Sequence, residues 1–150
     1  MNNRQVAEQW RLQTNRVKNG HSMYYEGKTI YSYGSHFPMA YITGLQYGLK
    51  DIVLQNSDSY SNSTAKHLNH MRSQCHNDAT IEIPTNILKE LIREFEFSGA
   101  SKAILDMARA EIQERIAYSE GKKARARVHK YMYQYQIDDN NRQLEILNTL

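Results

Sequence analysis

The stretch YYEGKTIYSYGSHFPMAY, residues 24–41, carries the pattern that decides the fold. Two short runs rich in tyrosine, isoleucine and threonine flank Glu26 and Gly27, and such runs around a tight glycine turn predict a β-hairpin. The segment GSHFP then turns the chain, and MAYIT predicts a third strand, whose entry at Pro38 suits an edge or a first strand position. The stretch therefore predicts a small antiparallel sheet with many hydroxyl groups.

Two further strands and a short helix are predicted after this stretch. The segment DIVLQN, residues 51–56, is the most aliphatic run and predicts a fourth strand. The segment TIEIP, residues 80–84, predicts a fifth strand or an extended connector. Between them, AKHLNHMRSQ predicts a short helix with Ser63 or Thr64 as its N-cap. The sheet is thus expected to contain four or five short strands, with a helix behind it.

The N-terminal segment has the spacing of a helix. Side chains at i, i+4, i+7 and i+11, beginning at Val6, predict a helix over residues 3–18. Asn2 or Asn3 is its expected N-cap, and Asn19-Gly20 is expected to end it.

The C-terminal half keeps helical spacing throughout. An interruption at Ser98-Gly99 separates two helices, and Gly121 is expected to interrupt or kink the second. Residues 122–130 are predicted to continue as an amphipathic helix with a basic outer face. The fold class is therefore α+β, with an N-terminal helix and a small antiparallel sheet followed by a helical C-terminal half. The expected division is an α+β domain over residues 1–83 and a helical extension over 84–150, packed together as one unit.

The charge of the chain is concentrated in one segment. The 150 residues carry a formal net charge of +3, and KKARARVHK, residues 122–130, holds five cations and no acid. The rest of the chain is slightly acidic, and the concentration of cations in this segment permits an anionic partner. The single cysteine, Cys75, excludes an internal disulfide and is typical of a reducing compartment. No apolar run approaches a membrane span, so a soluble, intracellular protein without a membrane partner is expected.

Two motifs in the first half share the spacing of a known pattern. An aromatic-Glu-Gly turn leads into Tyr-Ser-Tyr-Gly-x-His-Phe-Pro-x-Ala, and Tyr-Ser-x-Thr-Thr-x-Lys-His follows after a spacer. The matching residues are Tyr25, Glu26, Gly27, Ile30, Tyr31, Ser32, Tyr33, Gly34, His36, Phe37, Pro38, Ala40, Tyr60, Ser61, Thr64, Lys66 and His67. Ser63 stands where the pattern has threonine, which keeps the hydroxyl. The segment resembles a small domain of many phage-encoded and large-virus proteins, and the resemblance implies a phage origin, the host cytoplasm and a small sheet domain, but no mechanism.

Two surfaces are candidates for binding. Strand alternation over residues 28–33 places Tyr31 and Tyr33 on one face, where a stripe of rings suits either stacking of nucleobases or packing under the N-terminal helix. The basic segment, followed by further tyrosines, is typical of a contact with nucleic acid or an acidic protein, or of an ordinary solvated face. The candidate binding residues are Tyr31, Tyr33, His36, Tyr60, Lys66, His67, Lys122, Lys123, Arg125, Arg127 and Lys130.

Three of these residues suggest an alternative, catalytic function. Two imidazoles and an ammonium are the minimum for metal-independent cleavage of RNA, with His36 and His67 transferring protons and Lys66 stabilising the phosphorane. A structural role in the loop backbone is the simpler alternative for each histidine.

Metal and cofactor motifs are missing from the sequence. His67, His70, Cys75 and His76 lie close together in sequence, but no second ligand pair follows at zinc-finger spacing, so no metal is expected. No phosphate-binding glycine loop, nucleophile elbow or catalytic-cysteine motif occurs, so no cofactor is expected and nothing identifies an enzyme.

The sequence therefore favours a non-enzymatic phage accessory protein, of the host-takeover or anti-defence kind, that binds nucleic acid or a host nucleoprotein complex. The alternatives are the metal-independent ribonuclease and a structural protein that self-assembles through its C-terminal helices, including the apolar tail LEILNTL, residues 144–150.

Overall fold

The computed structural model describes residues 1–14, 17–20 and 22–150, with the backbone alone at Val17 and Lys18. Within this part of the chain, six strands form one sheet: β1 (Val17–Asn19), β2 (Met23–Glu26), β3 (Thr29–Ser32), β4 (Pro38–Tyr47), β5 (Lys50–Asn56) and β6 (Thr80–Ile83). The α-helices are α1 (Asn3–Leu12), α2 (Asn62–Arg72), α3 (Thr85–Phe97), α4 (Lys102–Arg125) and α5 (Lys130–Leu147), and a 3-10 turn spans Asn77–Ala79.

The strands follow one another in sequence order across the sheet. The predicted hairpin is confirmed: Met23 pairs with Ser32 and Glu26 with Thr29, and Gly27 adopts the positive φ of +57° that the turn requires. All neighbours are antiparallel except β5 and β6, which run parallel because α2 and the 3-10 turn carry the chain back between them. The α+β fold class is confirmed, and the sheet is mixed rather than purely antiparallel.

Helices cover both faces of the sheet. One face packs against α1 and α2, and its core contains the side chains of Trp10, Tyr25, Ile30 and Met71. The opposite face packs against α3, α4 and α5, around side chains that include Leu54. The two faces therefore bury separate cores, and any surface feature belongs to one side or the other.

The C-terminal tail is part of the second core. Ile146 and Leu147 are fully buried there, and Leu144 and Leu150 pack against it partly buried. The apolar side chains on which the self-assembly hypothesis was based therefore contact the chain's own sheet and helices.

The N-terminal helix is shorter than the predicted span of 3–18. It ends at Leu12, because Gln13 adopts a left-handed conformation and its side-chain amide donates to the carbonyls of Trp10 and Gly27. Residues 17–19, predicted as helix, instead pair with β2. Residues 15 and 16 of the prediction lie outside the described part. At the other end, the Asn2 side chain accepts from the Gln5 backbone N–H, which confirms the predicted cap.

The α2 helix begins earlier than predicted. Its N-cap is Ser61, whose hydroxyl accepts from the backbone N–H of Thr64, rather than Ser63 or Thr64 itself. The earlier start adds part of a turn. The buried face of the helix carries Thr64, His67, Leu68 and Met71.

The continuous basic helix predicted over residues 122–130 is wrong. Helix α4 runs through Gly121 without a break and ends at Arg125; residues 126–129 reverse the chain, and α5 begins at Lys130. His129 makes the reversal with a φ of +59°, a conformation that no local glycine or proline signals. The five cations therefore surround the turn of a helical hairpin. The predicted break near Ser98-Gly99 is confirmed, since α3 ends at Phe97. Across the described residues, no helix has both the length and the apolar character needed to cross a membrane.

Candidate functional site

His67 lies at the centre of a hydrogen-bonded cluster between α1, α2 and the sheet. Its Nε2 atom is 2.8 Å from Ser22 Oγ, and its Nδ1 atom is 2.6 Å from Ser32 Oγ. The side-chain amide of Asn3 donates to Ser22 Oγ at 3.0 Å. We call Asn3, Ser22, Ser32 and His67 the serine–histidine cluster. Both ring nitrogens of this buried histidine are therefore occupied by hydroxyl groups.

The local backbone explains how the cluster forms. The Asn3 Oδ1 atom accepts from the N–H groups of both Ser22 and Met23, which ties the start of α1 to the start of β2. Gly20 permits this approach, because a Cβ atom there would lie 2.6 Å from Val6 Cγ2 and 2.9 Å from Asn3 Oδ1. Ser32 ends β3 on the face covered by α2, where His67 is buried.

The pKa of His67 is lowered from its ordinary value of 6.5, first by burial and then by the neighbouring His70. The folded protein thus favours the neutral ring, so below about pH 6.5 the unfolded chain binds more protons than the folded one. We expect the contribution of His67 to the free energy of unfolding to be constant above this pH and to fall as the pH decreases toward the folded-state pKa. Urea midpoints measured between about pH 7.5 and 5 test this expectation.

The matched variants are His67→Gln, which removes the buried imidazole, and His36→Gln, at an exposed ring. The decline in midpoint should disappear in the first variant and persist in the second. An unchanged decline in His67→Gln would assign the acid sensitivity to other groups.

Tyr31 and Tyr33 do not form the single stripe that strand alternation predicts. Tyr33 follows the end of β3 with a φ of +63°, which turns its ring back over His67 at a centroid distance of 5.0 Å. Tyr31 remains on the opposite face, stacked on Tyr24 at 4.9 Å. The left-handed conformation of Tyr33 breaks the alternation of side chains, and the two rings lie on different faces of the sheet.

The surroundings of Tyr31 are acidic. Its ring lines a cavity together with Glu26, Glu96 and Ile92. Burial, and to a smaller extent the charges of Glu26 and Glu96, raise the pKa of the Tyr31 phenol, against an opposing hydrogen bond from Thr29. Two carboxylates beside the ring are unfavourable for a phosphate contact.

The other sequence-selected residues of the first half are dispersed around α2. Tyr60 is exposed and packs edge-on against Phe37, at 5.0 Å between ring centroids. His36 and Lys66 are exposed, whereas His67 is buried. In the described part of the chain no hydrogen bond, ion pair or ring contact joins His36 to His67, so the ribonuclease hypothesis gains no geometric support.

His67 and His70 of α2, and Cys75 and His76 after it, do not converge on a metal position. Among the described residues, no group of three or more His, Cys, Asp or Glu side chains has an arrangement that could hold an ion. Burial raises the pKa of the Cys75 thiol to about 11, partly offset by Gln55 and Arg11, and the thiol therefore stays protonated and poorly nucleophilic near neutral pH.

The second candidate surface lies on the opposite side of the sheet, in the α4–α5 hairpin. We call residues 117–136 the arm. Between Ile116 and Ile137, only the side chain of Ser119 is buried, and its hydroxyl donates to Gln136. The arm thus lacks an apolar core of its own, because its two helical segments meet through polar contacts.

The cations of the arm are unpaired. The arm carries one acid, Glu120, and the cations Lys122, Lys123, Arg125, Arg127 and Lys130. Over the residues that the structure describes, none of these cations forms an ion pair with a carboxylate. Lys123 donates to Gln134, and the Lys122 ammonium lies 5.5 Å from the ring centre of Tyr118. The segment therefore keeps its positive charge in the folded protein.

Aromatic rings lie beside these cations and face solvent. Tyr118, Tyr131 and Tyr135 are 65%, 70% and 68% exposed, so most of each side chain is free to contact a ligand. Tyr131, Met132, Tyr135 and Gln136 line an open groove of about 470 Å³. Cations and ring faces are therefore presented together, the combination that polynucleotide-binding surfaces use.

Sequence reasoning missed several of these residues. Ser22 and Tyr118 carried no motif, Asn3 was considered only as a helix N-cap, and Ser32 was noted only as a matching residue of the tyrosine-rich motif. A polar residue alternating with a buried isoleucine was the available signal for Ser32. No local signal identifies Asn3, because its partners are 19 and 20 residues away.

Comparison with protein-family models, with curated proteins and with solved structures finds no match to this chain. Fold and site define an α+β protein with helices on both faces of a mixed sheet, a serine–histidine cluster on one side and a basic, tyrosine-rich arm on the other.

Proposed function

We propose that this protein binds nucleic acid through the arm. The observation that carries the proposal is the coincidence, on residues 117–136, of five cations without an acidic partner and three exposed tyrosine rings. A solvated helix face normally mixes charges of both signs, whereas this surface holds a single acid. Such a surface is complementary to a polymer that carries phosphates and flat bases.

The N-terminal end of α5 contributes hydrogen-bond donors to this surface. Its N-cap, His129, makes no side-chain capping hydrogen bond. The Met132 N–H donates to the His129 carbonyl, and the N–H groups of Lys130 and Tyr131 stay available. The negative end of the α4 dipole lies at the same tip and opposes the positive end of α5, so the preference of the tip for an anion rests on its cations and N–H groups.

Single strands are the favoured ligand. The ring faces of Tyr131 and Tyr135 stack on bases only where those bases are unpaired and unstacked. Tyr118 is less suited to this role, because it lines a cavity with Glu111 and Glu114. A duplex offers the arm its phosphates alone. We therefore expect tighter binding to single-stranded DNA or RNA than to a duplex of equal length. A phage accessory role in host takeover or anti-defence is compatible with such binding and would be exercised on a host nucleoprotein.

The test is a salt titration of binding to labelled single-stranded and duplex oligonucleotides. If all five cations meet phosphates, a log–log plot of the binding constant against salt should have a slope of about −3.5 for single strands and about −4.5 for duplex. A slope near zero, or no binding at about 50 mM salt, would refute the proposal. A binding constant that falls steeply with salt but is larger for the duplex would support the role of the cations and exclude the stacking role of the tyrosines.

A further inference from the structure

The serine–histidine cluster has the connectivity of a nucleophile, a base and a residue that orients the base. Ser22 Oγ lies 2.8 Å from His67 Nε2, and Ser32 Oγ lies 2.6 Å from Nδ1 of the same ring. Both distances are within hydrogen-bonding range, and the two partners occupy opposite nitrogens of the ring. None of this is needed for the arm to bind nucleic acid.

The contacts of Asn3 fix the direction of its hydrogen bond with Ser22. Its Oδ1 atom accepts from the N–H groups of Ser22 and Met23, so its Nδ2 atom is the group that donates to Ser22 Oγ. Ser22 thus accepts from the amide and has its own proton free to donate to His67 Nε2. In the tautomer in which Ser22 donates to His67 Nε2, the proton of the neutral ring lies on Nδ1 and is donated to Ser32 Oγ. Of the two tautomers that these contacts allow, this is the one that leaves Nε2 as a base directed at Ser22.

The cluster is reachable from solvent at Ser22. A cavity of about 370 Å³ is lined by Ser22 together with Asn19, Gly20, Met23, Tyr24 and Tyr33. His67 itself is buried, with the Tyr33 ring over it, so a ligand in the cavity meets Ser22 before the imidazole. The size of the cavity suits a small group rather than a polymer.

We propose that Ser22 is the nucleophile of an acyl-transfer site in which His67 is the base and small carboxylic esters or thioesters are the substrates. Ser22 Oγ attacks the carbonyl carbon while its proton passes to His67 Nε2. The bond from that carbon to the leaving oxygen or sulfur breaks, and the imidazolium returns the proton to the leaving group. The products are an acyl-serine and an alcohol or thiol. Water then attacks the acyl-serine by the same proton transfers and releases the carboxylic acid.

The surrounding groups set the substrate class. Ser32 orients the imidazole but carries no charge, so it does little to stabilise the imidazolium that forms during attack. Expulsion of an amine from an amide depends strongly on that cation. The alkoxide of an activated ester and the thiolate of a thioester are weaker bases and depart more readily. Asn3 Nδ2, which donates to Ser22 Oγ at 3.0 Å, is the group of the cluster that could donate to the oxygen that becomes negative. Burial keeps the pKa of His67 low, and the ring is therefore neutral and available as a base at neutral pH.

A fluorophosphonate reagent tests the nucleophile directly. Attack forms a bond from Ser22 Oγ to phosphorus, breaks the phosphorus–fluorine bond and releases fluoride, and the adduct is found by intact mass and peptide mapping. We expect one adduct, on Ser22, and none in Ser22→Ala. In His67→Gln the labelling rate should fall at least about 100-fold, because general-base assistance contributes that much or more. p-Nitrophenyl acetate should show a matching burst of p-nitrophenol.

Two further variants separate catalysis from a purely structural network. Ser32→Ala should slow labelling and displace the pH at half-maximal rate, whereas Ser59→Ala, at an exposed serine, should change neither. Circular dichroism confirms that each variant is folded. An unlabelled Ser22 in the wild-type protein, or equal labelling in His67→Gln, would overturn the proposal. Because nucleic-acid binding is measured separately, failure of one proposal leaves the other standing.

Discussion

Reversing the charges of Arg125, Arg127 and Lys130 to glutamate is expected to weaken binding of a single-stranded oligonucleotide roughly 100-fold at about 0.1 M salt. These three side chains are exposed, whereas Lys122 and Lys123 are half-buried and contact Tyr118 and Gln134. Each lost contact with a phosphate removes the release of about 0.7 counterion, so three contacts amount to about two decades at that salt concentration. Repulsion between the new carboxylates and the phosphates adds to this loss.

The same variant should have a shallower salt dependence, with the log–log slope reduced by about 2. The matched control reverses Arg4, Lys28 and Lys89, which are exposed and lie outside the arm, and which change the net charge of the protein by the same amount. If both triple variants lose affinity equally, overall charge rather than the arm attracts the ligand. Fluorescence anisotropy at several salt concentrations measures both the affinity and the slope.

Replacing Trp10 by alanine is expected to cost about 3–5 kcal/mol of the free energy of unfolding. The Trp10 side chain is fully buried in the core beneath α1 and α2, and its Nε1 atom donates to the Lys28 carbonyl at 2.9 Å. The change removes the largest side chain of this core and also leaves that carbonyl without its donor. Because domains of this size are stable by about 5–15 kcal/mol, a large share of the stability would be lost.

Urea unfolding followed by circular dichroism measures this effect as a shift of the midpoint by about 1 M or more. The control is Leu12→Ala, in the same helix but at a side chain that is 71% exposed, for which we expect a change within about 0.5 kcal/mol. Equal shifts in the two variants would mean that Trp10 is less tightly packed than its burial indicates.

Most of the secondary structure follows from local patterns. The hairpin around Gly27, the aliphatic strand β5 and the helices after Pro84 were predictable because the spacing of apolar residues reflects which side of an element is buried. The end of α1 was not, because the capping amide of Gln13 bonds to Gly27 across 14 residues. The turn at His129 was missed for a different reason, since it uses a left-handed residue that composition does not favour.

The candidate sites also combine features that the sequence shows with features that depend on tertiary contacts. The positive charge of residues 122–130 was evident from the sequence, but its position at the tip of a hairpin depends on how α4 packs against α5. The surroundings of His67 were not predicted, because the face of α2 on which it lies is decided by packing against the sheet. Its serine partners lie 45 and 35 residues away, beyond the range of any periodicity.

The sequence by itself determined the α+β class, the hairpin, the helical second half and the excess of cations near residue 126, because each depends on residues that are neighbours along the chain. The tertiary structure decided that the tyrosines of the first motif serve opposite faces of the sheet. It also decided that His67 is enclosed by two hydroxyls and that the basic residues lie at the tip of the arm, apart from either core. These features arise from contacts between distant segments, whose free energy depends on packing and hydrogen bonds that exist only once the sheet and its covering helices have assembled.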